Sequence, residues 1–279
     1  MKKVLFTVVA AALSIGVFAA EIKLNKKVID RKSYKLYRYD ISGFKYKQSF
    51  NYIVFPQKDG TETLANNSGN ICGLTYGWFG SGMISAVANN KVQLLAQAPK
   101  IEDGKDFIKF NFDGKGFKSE LTFKFVPDSD IVIGKLKVEP AAALSKLVVN
   151  FFSIPGHNGN SIEGKKPFNR YFATALRRAK LENGKSVIID KDKENWFTLF
   201  DEYNDNTGSG VLLYASDKVK SVKVNCGGRL VVVNAELPAK QNEFDFILRG
   251  IPTSYLDEDE VIEDMKKNAA DILKNISAK

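Results

Sequence analysis

The only histidine of the chain lies in a segment that could support acid–base chemistry. His157 follows Pro155 and Gly156, precedes Asn158, and comes directly after an apolar run typical of a strand. Histidine exchanges a proton near neutral pH, and asparagine amides hydrogen-bond hydroxyl groups such as those of sugars. The segment predicts either a ligand-binding loop, with His157 and Asn158 as contacts, or an ordinary exposed loop histidine.

Three of the seven arginines are close together in the sequence after this segment. Arg170 precedes Tyr171, and Arg177 precedes Arg178. Guanidinium groups bind carboxylates and sulfates through two parallel hydrogen bonds, and a lyase acting on uronic acids needs such a group beside a Tyr or His base. If the protein is an enzyme, its catalytic candidates are His157, Tyr171 and Arg177. Arg170 and Arg177 are also ligand-binding candidates, unless the arginine stems only cover a sheet face.

A glycine-rich segment carries a second group of candidate ligand contacts. Tyr76, Trp78 and Phe79 lie among four glycines within residues 73–82. Aromatic rings with a polar tip suit the stacking of sugar faces, so Tyr76 and Trp78 are predicted to bind a ligand on an exposed platform. The alternative is that these rings fill the core while the glycines shape bulges.

The residue types argue against metal and cofactor chemistry. One His and two Cys exclude a zinc site built from these residues and an iron–sulfur cluster. The oxygen-rich segment 201–206 lacks the spaced Gly and terminal Glu of a calcium loop, which favours a solvated turn. Phosphate-binding, dinucleotide-binding, serine-hydrolase and HExxH motifs are also absent from the sequence. We therefore expect no metal and no cofactor.

The first twenty residues predict an export signal. Two lysines precede an uncharged, mostly apolar run of 17 residues, Val4 to Ala20, which is shorter than the ~20 residues that span a bilayer. This pattern is typical of a bacterial secretory signal peptide over residues 1–20. We expect export to the periplasm or the extracellular space, and no transmembrane segment after cleavage.

Export matters for the two cysteines. Cys72 and Cys226 would meet an oxidising compartment, where they either form a disulfide or remain buried free thiols. The choice depends on geometry, which the sequence does not contain.

From Ile22 to about Gly250, the dominant hydrophobic period is two. Leu121, Phe123 and Phe125, for example, alternate with polar residues, and Asp-Gly and Asn-Gly pairs separate such runs. We predict about fifteen strands, including residues 173–181 despite their helical propensity, and a crossover between two halves at residues 140–143. The predicted fold is all-β: a large antiparallel β-sandwich forming one domain over residues 21–279.

One α-helix is predicted, over residues 257–277. Four acidic residues begin it, and apolar residues then recur at three- and four-residue spacing, at Val261, Met265, Ala269, Ile272 and Ile276. We expect this helix to pack on a sheet or its edge, with a partner-binding helix as the alternative.

Three strand-like runs resemble the closing sheet strands of bacterial galactose-mutarotase-like supersandwich proteins. They are residues 196–201, 210–214 and 242–252. The resemblance implies a supersandwich fold and sugar-related work, as in the epimerases, polysaccharide lyases, accessory domains and sugar-binding modules that share it. The epimerases of the family use a Glu base and two His residues. This chain has one His, a departure that argues against mutarotase activity.

The net charge of +9 is concentrated near the N-terminus. Residues 21–60 hold ten basic and four acidic side chains, and lysine dominates over arginine in the whole chain. An exported, lysine-rich chain is not expected to bind nucleic acid. We predict an exported carbohydrate-associated β-sandwich protein, a non-catalytic or accessory glycan binder, with an anionic polysaccharide among the candidate ligands. The alternatives are a polysaccharide lyase or sugar-epimerase-like enzyme and a structural envelope protein; the oligomeric state stays open.

Overall fold

The computed structural model describes residues 21–64, 84–95, 98–114, 116–155, 169–202, 208–227 and 230–277. Within these ranges the chain forms nineteen strands and one α-helix. The strands make three sheets, in which every pairing is antiparallel. None of the helices in the described part of the chain is long and apolar enough to cross a membrane.

Two of the sheets form one layer of the fold. In sheet order, the four-stranded sheet consists of β1 (Lys23–Asp30), β2 (Lys35–Ser42), β3 (Gln48–Pro56) and β4 (Glu62–Leu64). The six-stranded sheet consists of β14 (Ser186–Ile189), β17 (Ser221–Gly227), β18 (Leu230–Leu237), β11 (Leu147–Ser153), β5 (Ile84–Ala88) and β6 (Val92–Gln93).

The third sheet is the largest and forms the other layer. In sheet order, it consists of β13 (Arg178–Lys180), β12 (Arg170–Ala173), β15 (Trp196–Asp201), β16 (Ser209–Tyr214), β19 (Glu243–Ile251), β10 (Ile131–Glu139), β9 (Phe117–Phe125), β8 (Phe107–Gly114) and β7 (Lys100–Asp103).

The core lies between the inner face of this nine-stranded sheet and the two smaller sheets. Phe50 of the four-stranded sheet packs on Phe123, with ring centroids 5.1 Å apart. Phe151 of the six-stranded sheet packs on Phe246 at 4.9 Å. Side chains of a strand alternate between its two faces, so the period-two pattern of the longer strands, such as β8 and β9, buries one apolar row of each in this core.

A second apolar cluster lies on the outer face of the nine-stranded sheet, beneath helix α1 (Glu258–Ser277). The helix begins with a reciprocal cap, because the Asp257 carboxylate accepts a hydrogen bond from the Glu260 amide and the Glu260 carboxylate accepts one from the Asp257 amide. Val261, Met265 and Ala269 are among its buried residues. The prediction that the helix packs on a sheet is confirmed.

The predicted all-β sandwich with a C-terminal helix is confirmed. A 3-10 turn at Ala141–Ala143 connects β10 of the large sheet to β11 of the six-stranded sheet, as the predicted crossover required. Residues 173–181 belong to the hairpin of β12 and β13 rather than to a helix. The predicted number of strands was too low, because strands of two to four residues show no alternation to detect. The predicted signal peptide lies outside the described residues and stays a prediction.

Candidate functional site

Helix α1 divides the outer face of the nine-stranded sheet into a covered half and an open half. The covered half lies on β15, β16 and β19, where outward side chains such as Val211 and Ile247 are buried under the helix. The open half lies on β7 to β10 and bears mainly polar side chains. We call it the open face, defined by Lys100, Glu102, Phe107, Lys109, Asn111, Asp113, Lys118, Glu120, Thr122, Lys124, Ile133, Lys135, Lys137 and Glu139.

Strand register places Glu120 in the middle of the open face. Glu120 on β9 is paired with Lys137 on β10 and with Asn111 on β8. Directly opposite residues of antiparallel strands have their side chains on the same face and close together. A carboxylate, an ammonium group and an amide therefore lie side by side across three neighbouring strands.

Two depressions occur on the open face, and Glu120 lines both. The first has a volume of about 400 Å³, and the second of about 350 Å³. The first is lined by Ala98, Lys100, Asn111, Phe112, Asp113, Lys118, Ser119, Glu120, Lys137 and Glu139. The second is lined by Asp106, Phe107, Lys109, Glu120, Thr122, Lys124, Ile133 and Lys135.

Most charged groups around Glu120 are held by opposite charges. The Glu102 carboxylate accepts hydrogen bonds from Lys109 at 2.8 Å and from the Asn111 amide at 2.9 Å. The bond from Lys109 lowers the pKa of Glu102, and Glu102 in turn raises the pKa of Lys109. Lys137 pairs with Glu139 at 2.8 Å, which raises the pKa of Lys137. These groups stay charged and positioned at neutral pH.

Glu120 differs from Glu102 and Glu139 in having open hydrogen-bonding capacity. Within the described part of the chain, its carboxylate has no Lys or Arg nitrogen within 4 Å and accepts one long hydrogen bond, 3.4 Å from the Thr122 hydroxyl. A carboxylate offers about four acceptor positions. Glu120 can therefore accept hydrogen bonds from a ligand, while the amide and ammonium groups beside it can donate.

The predicted arginine site is occupied by the protein's own carboxylates. Arg177 forms two hydrogen bonds with the buried Glu194, at 2.9 and 3.0 Å, and a third with the Ile188 carbonyl. Arg178 donates to Glu202 and Asp259. These guanidinium groups stabilise the fold. Arg177 joins the edge of the large sheet to β14 of the six-stranded sheet, and Arg178 joins it to helix α1.

Arg170 is also an interior residue. Its side chain is 1% exposed, donates to the Pro155 carbonyl at 3.2 Å and lies 4.0 Å from the Asp201 carboxylate. Burial lowers the pKa of Arg170, while contacts with Cys226 and Asp201 raise it. Cys226 is buried and has no disulfide partner within the described part of the chain, and burial raises the pKa of its thiol. Cys72 lies outside the described residues, so a disulfide stays a prediction.

The structure separates two of the three predicted catalytic residues. The ring of Tyr171 stacks on Phe200 in the cluster beneath the helix. The Arg177 guanidinium lies 5.3 Å from the ring of Phe172, which belongs to the core between the sheets. Tyr171 and Phe172 are consecutive strand residues and so point to opposite faces. The remaining predicted site residues, Tyr76, Trp78, His157 and Asn158, lie outside the described residues and stay predictions.

Sequence reasoning missed the open face, although a signal for it was present. Three successive strands carry polar residues at every second position, as in Lys118, Glu120, Thr122 and Lys124. Each strand alone is consistent with an ordinary solvated face. The strand register is what places the Glu120 carboxylate of β9 between the Asn111 amide of β8 and the Lys137 ammonium group of β10.

No family model matches this chain, and no curated protein matches it. Solved structures similar to it include a protein from Klebsiella pneumoniae subsp. pneumoniae assigned as an aldose 1-epimerase, with TM-score 0.45, 9% identity and coverage of 90% of this chain and 92% of that one. A galactose mutarotase related enzyme from Lactobacillus acidophilus has TM-score 0.39 and 10% identity, over 82% and 98% of the two chains.

A third similar structure is the galactosidase domain of an alpha-galactosidase-sucrose kinase, with TM-score 0.40 and 10% identity. It is matched over 80% of this chain, which spans 41% of that longer one. The Klebsiella and Lactobacillus structures are of aldose 1-epimerase and galactose mutarotase-like proteins, which is the family that the sequence resembles. With TM-scores below 0.5, these likenesses carry no argument about function, which is argued from the chain's own residues.

Proposed function

We propose that this protein is an exported, non-catalytic carbohydrate-binding protein that holds a glycan on the open face. The observation that carries the proposal is the position of Glu120, a carboxylate with open acceptor capacity that lines both depressions. Sugar hydroxyls both donate and accept hydrogen bonds, so they match a surface on which carboxylate, amide and ammonium groups alternate. Binding sites of this kind use a few fixed polar groups to orient the ligand.

The nearly balanced charges of the two depressions favour a neutral glycan. Three lysines and three carboxylates line the first depression, and three lysines and two carboxylates line the second, so the formal charges are 0 and +1. Four of the ten basic side chains of residues 21–60 form ion pairs, Lys26–Asp103, Lys27–Asp40, Lys35–Glu62 and Arg38–Asp40, with Asp40 shared by two of them. Arg177 and Arg178 are paired with carboxylates of the protein. A neutral glycan is therefore the ligand we propose, and an anionic polysaccharide stays the alternative.

Binding is tested on a glycan array that carries neutral and anionic glycans. We expect the purified protein to bind neutral glycans and the E120A variant to lose that signal. The control is E263A, which removes the same type of side chain from helix α1, outside the open face, where Glu263 is 71% exposed. Absence of binding to any glycan, or equal binding by the wild type and E120A, would overturn the proposal.

Export is supported by the sequence of residues 1–20, with its short basic start and apolar run. Expression of the full chain in a bacterium, followed by cell fractionation and N-terminal sequencing, tests this part. We expect a periplasmic or extracellular protein that begins near Glu21. A full-length protein that begins at Met1 in the cytoplasm would contradict it.

A further inference from the structure

We infer that the two depressions of the open face form one trough that takes a glycan chain of several linked sugars rather than a single sugar. The inference rests on the proposed function and adds the size of the ligand and the division of the site into two parts. It follows from the shared lining residue, the length of strand involved and the different chemistry at the two ends.

Continuity of the trough follows from the residues along β9. Lys118 and Glu120 line the first depression, and Glu120, Thr122 and Lys124 line the second. All four are outward residues of one strand, and each lies two positions from the next. The depressions therefore meet at Glu120 along a single line.

The distance along this line exceeds one sugar ring. From Lys118 to Lys124 the strand advances six residues, which is about 20 Å at roughly 3.4 Å per residue. A glycan that runs parallel to β9 would contact polar side chains of β8 on one side and of β10 on the other. A single sugar would occupy only part of this length.

The two ends of the trough differ in chemistry. The first depression presents charged and amide groups, which suit hydroxyl groups. The second contains Phe107, whose half-buried ring offers apolar surface for the CH-rich face of a sugar ring, beside the buried Ile133. The Phe107 ring is held in place by close packing over Gly104, where a side chain would overlap it. We assign hydroxyl recognition to the first end and ring stacking to the second.

The test is a calorimetric titration with a length series of the glycan found on the array, from one to four sugar units. We expect affinity to rise about tenfold or more from the single sugar to the tetrasaccharide. F107A and K124A should each weaken the tetrasaccharide about threefold to tenfold. K266A on helix α1 serves as the control for lysine removal, and circular dichroism checks that F107A is folded.

The possible outcomes separate this inference from the proposed function. If the single sugar binds as tightly as the tetrasaccharide, or if both F107A and K124A bind the tetrasaccharide like the wild type, the trough is overturned while glycan binding stands. If a single sugar binds too weakly to measure and the tetrasaccharide binds, the trough is supported. If no glycan of any length binds, the proposed function itself fails.

Discussion

The Arg249 guanidinium binds the Asp130 carboxylate through two hydrogen bonds, Nε to Oδ1 at 3.0 Å and Nη2 to Oδ2 at 2.8 Å. Both side chains are only 4% exposed. The remaining arm of Arg249 donates to Asp264 of helix α1 at 2.7 Å. One side chain of β19 thus joins the segment before β10 to the helix. This arrangement fixes the helix over one half of the outer face and leaves the other half open.

Substitution D130A should lower the free energy of unfolding by about 3–5 kcal/mol, because it leaves a buried guanidinium without its main partner. E263A removes a carboxylate from an exposed pair on the same helix and should cost less than about 1 kcal/mol. Urea unfolding of both variants measures the difference. Equal stability of D130A and the wild type would show that this ion pair does not hold the helix.

The buried carboxylate of Glu194 should make stability depend on pH at the acid end. Burial raises the pKa of Glu194, but hydrogen bonds from Thr174 and Arg177 outweigh it, so the pKa lies below its usual range. Because the folded-state pKa is depressed, the stabilisation is present above about pH 4.3 and is lost as pH falls through the folded-state value.

E194Q should therefore cost about 1–3 kcal/mol at pH 7, and this cost should shrink as the pH is lowered below about 4. Urea midpoints of the wild type and E194Q at pH 7, 4 and 3 give the measurement. A difference that stays constant over this range would mean that the charge on Glu194 contributes nothing.

Gly134 of β10 makes room for an aromatic ring of the core. A Cβ atom at this position would overlap the ring of Phe246, which is fully buried. G134A should therefore destabilise the protein by about 1–3 kcal/mol through overpacking. K135A changes the next residue, which points to the open face, and should change stability by less than about 1 kcal/mol. Thermal unfolding of the pair tests this, and similar melting temperatures would contradict it.

The Cys226 thiol should be unreactive in the folded protein. It is buried, and burial raises its pKa, which lowers the fraction of the reactive thiolate. We expect iodoacetamide to label Cys226 only after unfolding, with no reductant needed, as read by mass spectrometry of the peptide. Labelling that requires a reductant even in the unfolded protein would instead show a disulfide, with Cys72 as its natural partner.

The sequence predicted the class of fold because its signals are local. Alternation along β9 and the acidic start of helix α1 depend only on residues a few positions apart. Sheet order is not local: β10 pairs with β19, whose residues are more than a hundred positions away. The short strands at the sheet edges have too few residues to show a period.

The site was harder to predict because it depends on strand register. Tyr171 and Arg177 looked like partners in the sequence. In the structure, Arg177 lies over the ring of Phe172, which is the next residue of β12 after Tyr171 and so points to the opposite face of the sheet. Glu120, in contrast, became notable only once Asn111 and Lys137 were placed on either side of it. Residue type alone does not distinguish it from the other surface carboxylates.

The most direct test of the account compares the affinity of one array-selected glycan for the wild type, E120A and W78A. Loss of hydrogen bonds to a charged group costs about 1.5–3 kcal/mol, which corresponds to roughly 10–100-fold in Kd. We expect E120A to weaken binding by at least about tenfold. Binding that is lost in W78A and kept in E120A would contradict it, and would place the glycan on the aromatic segment that the sequence first indicated.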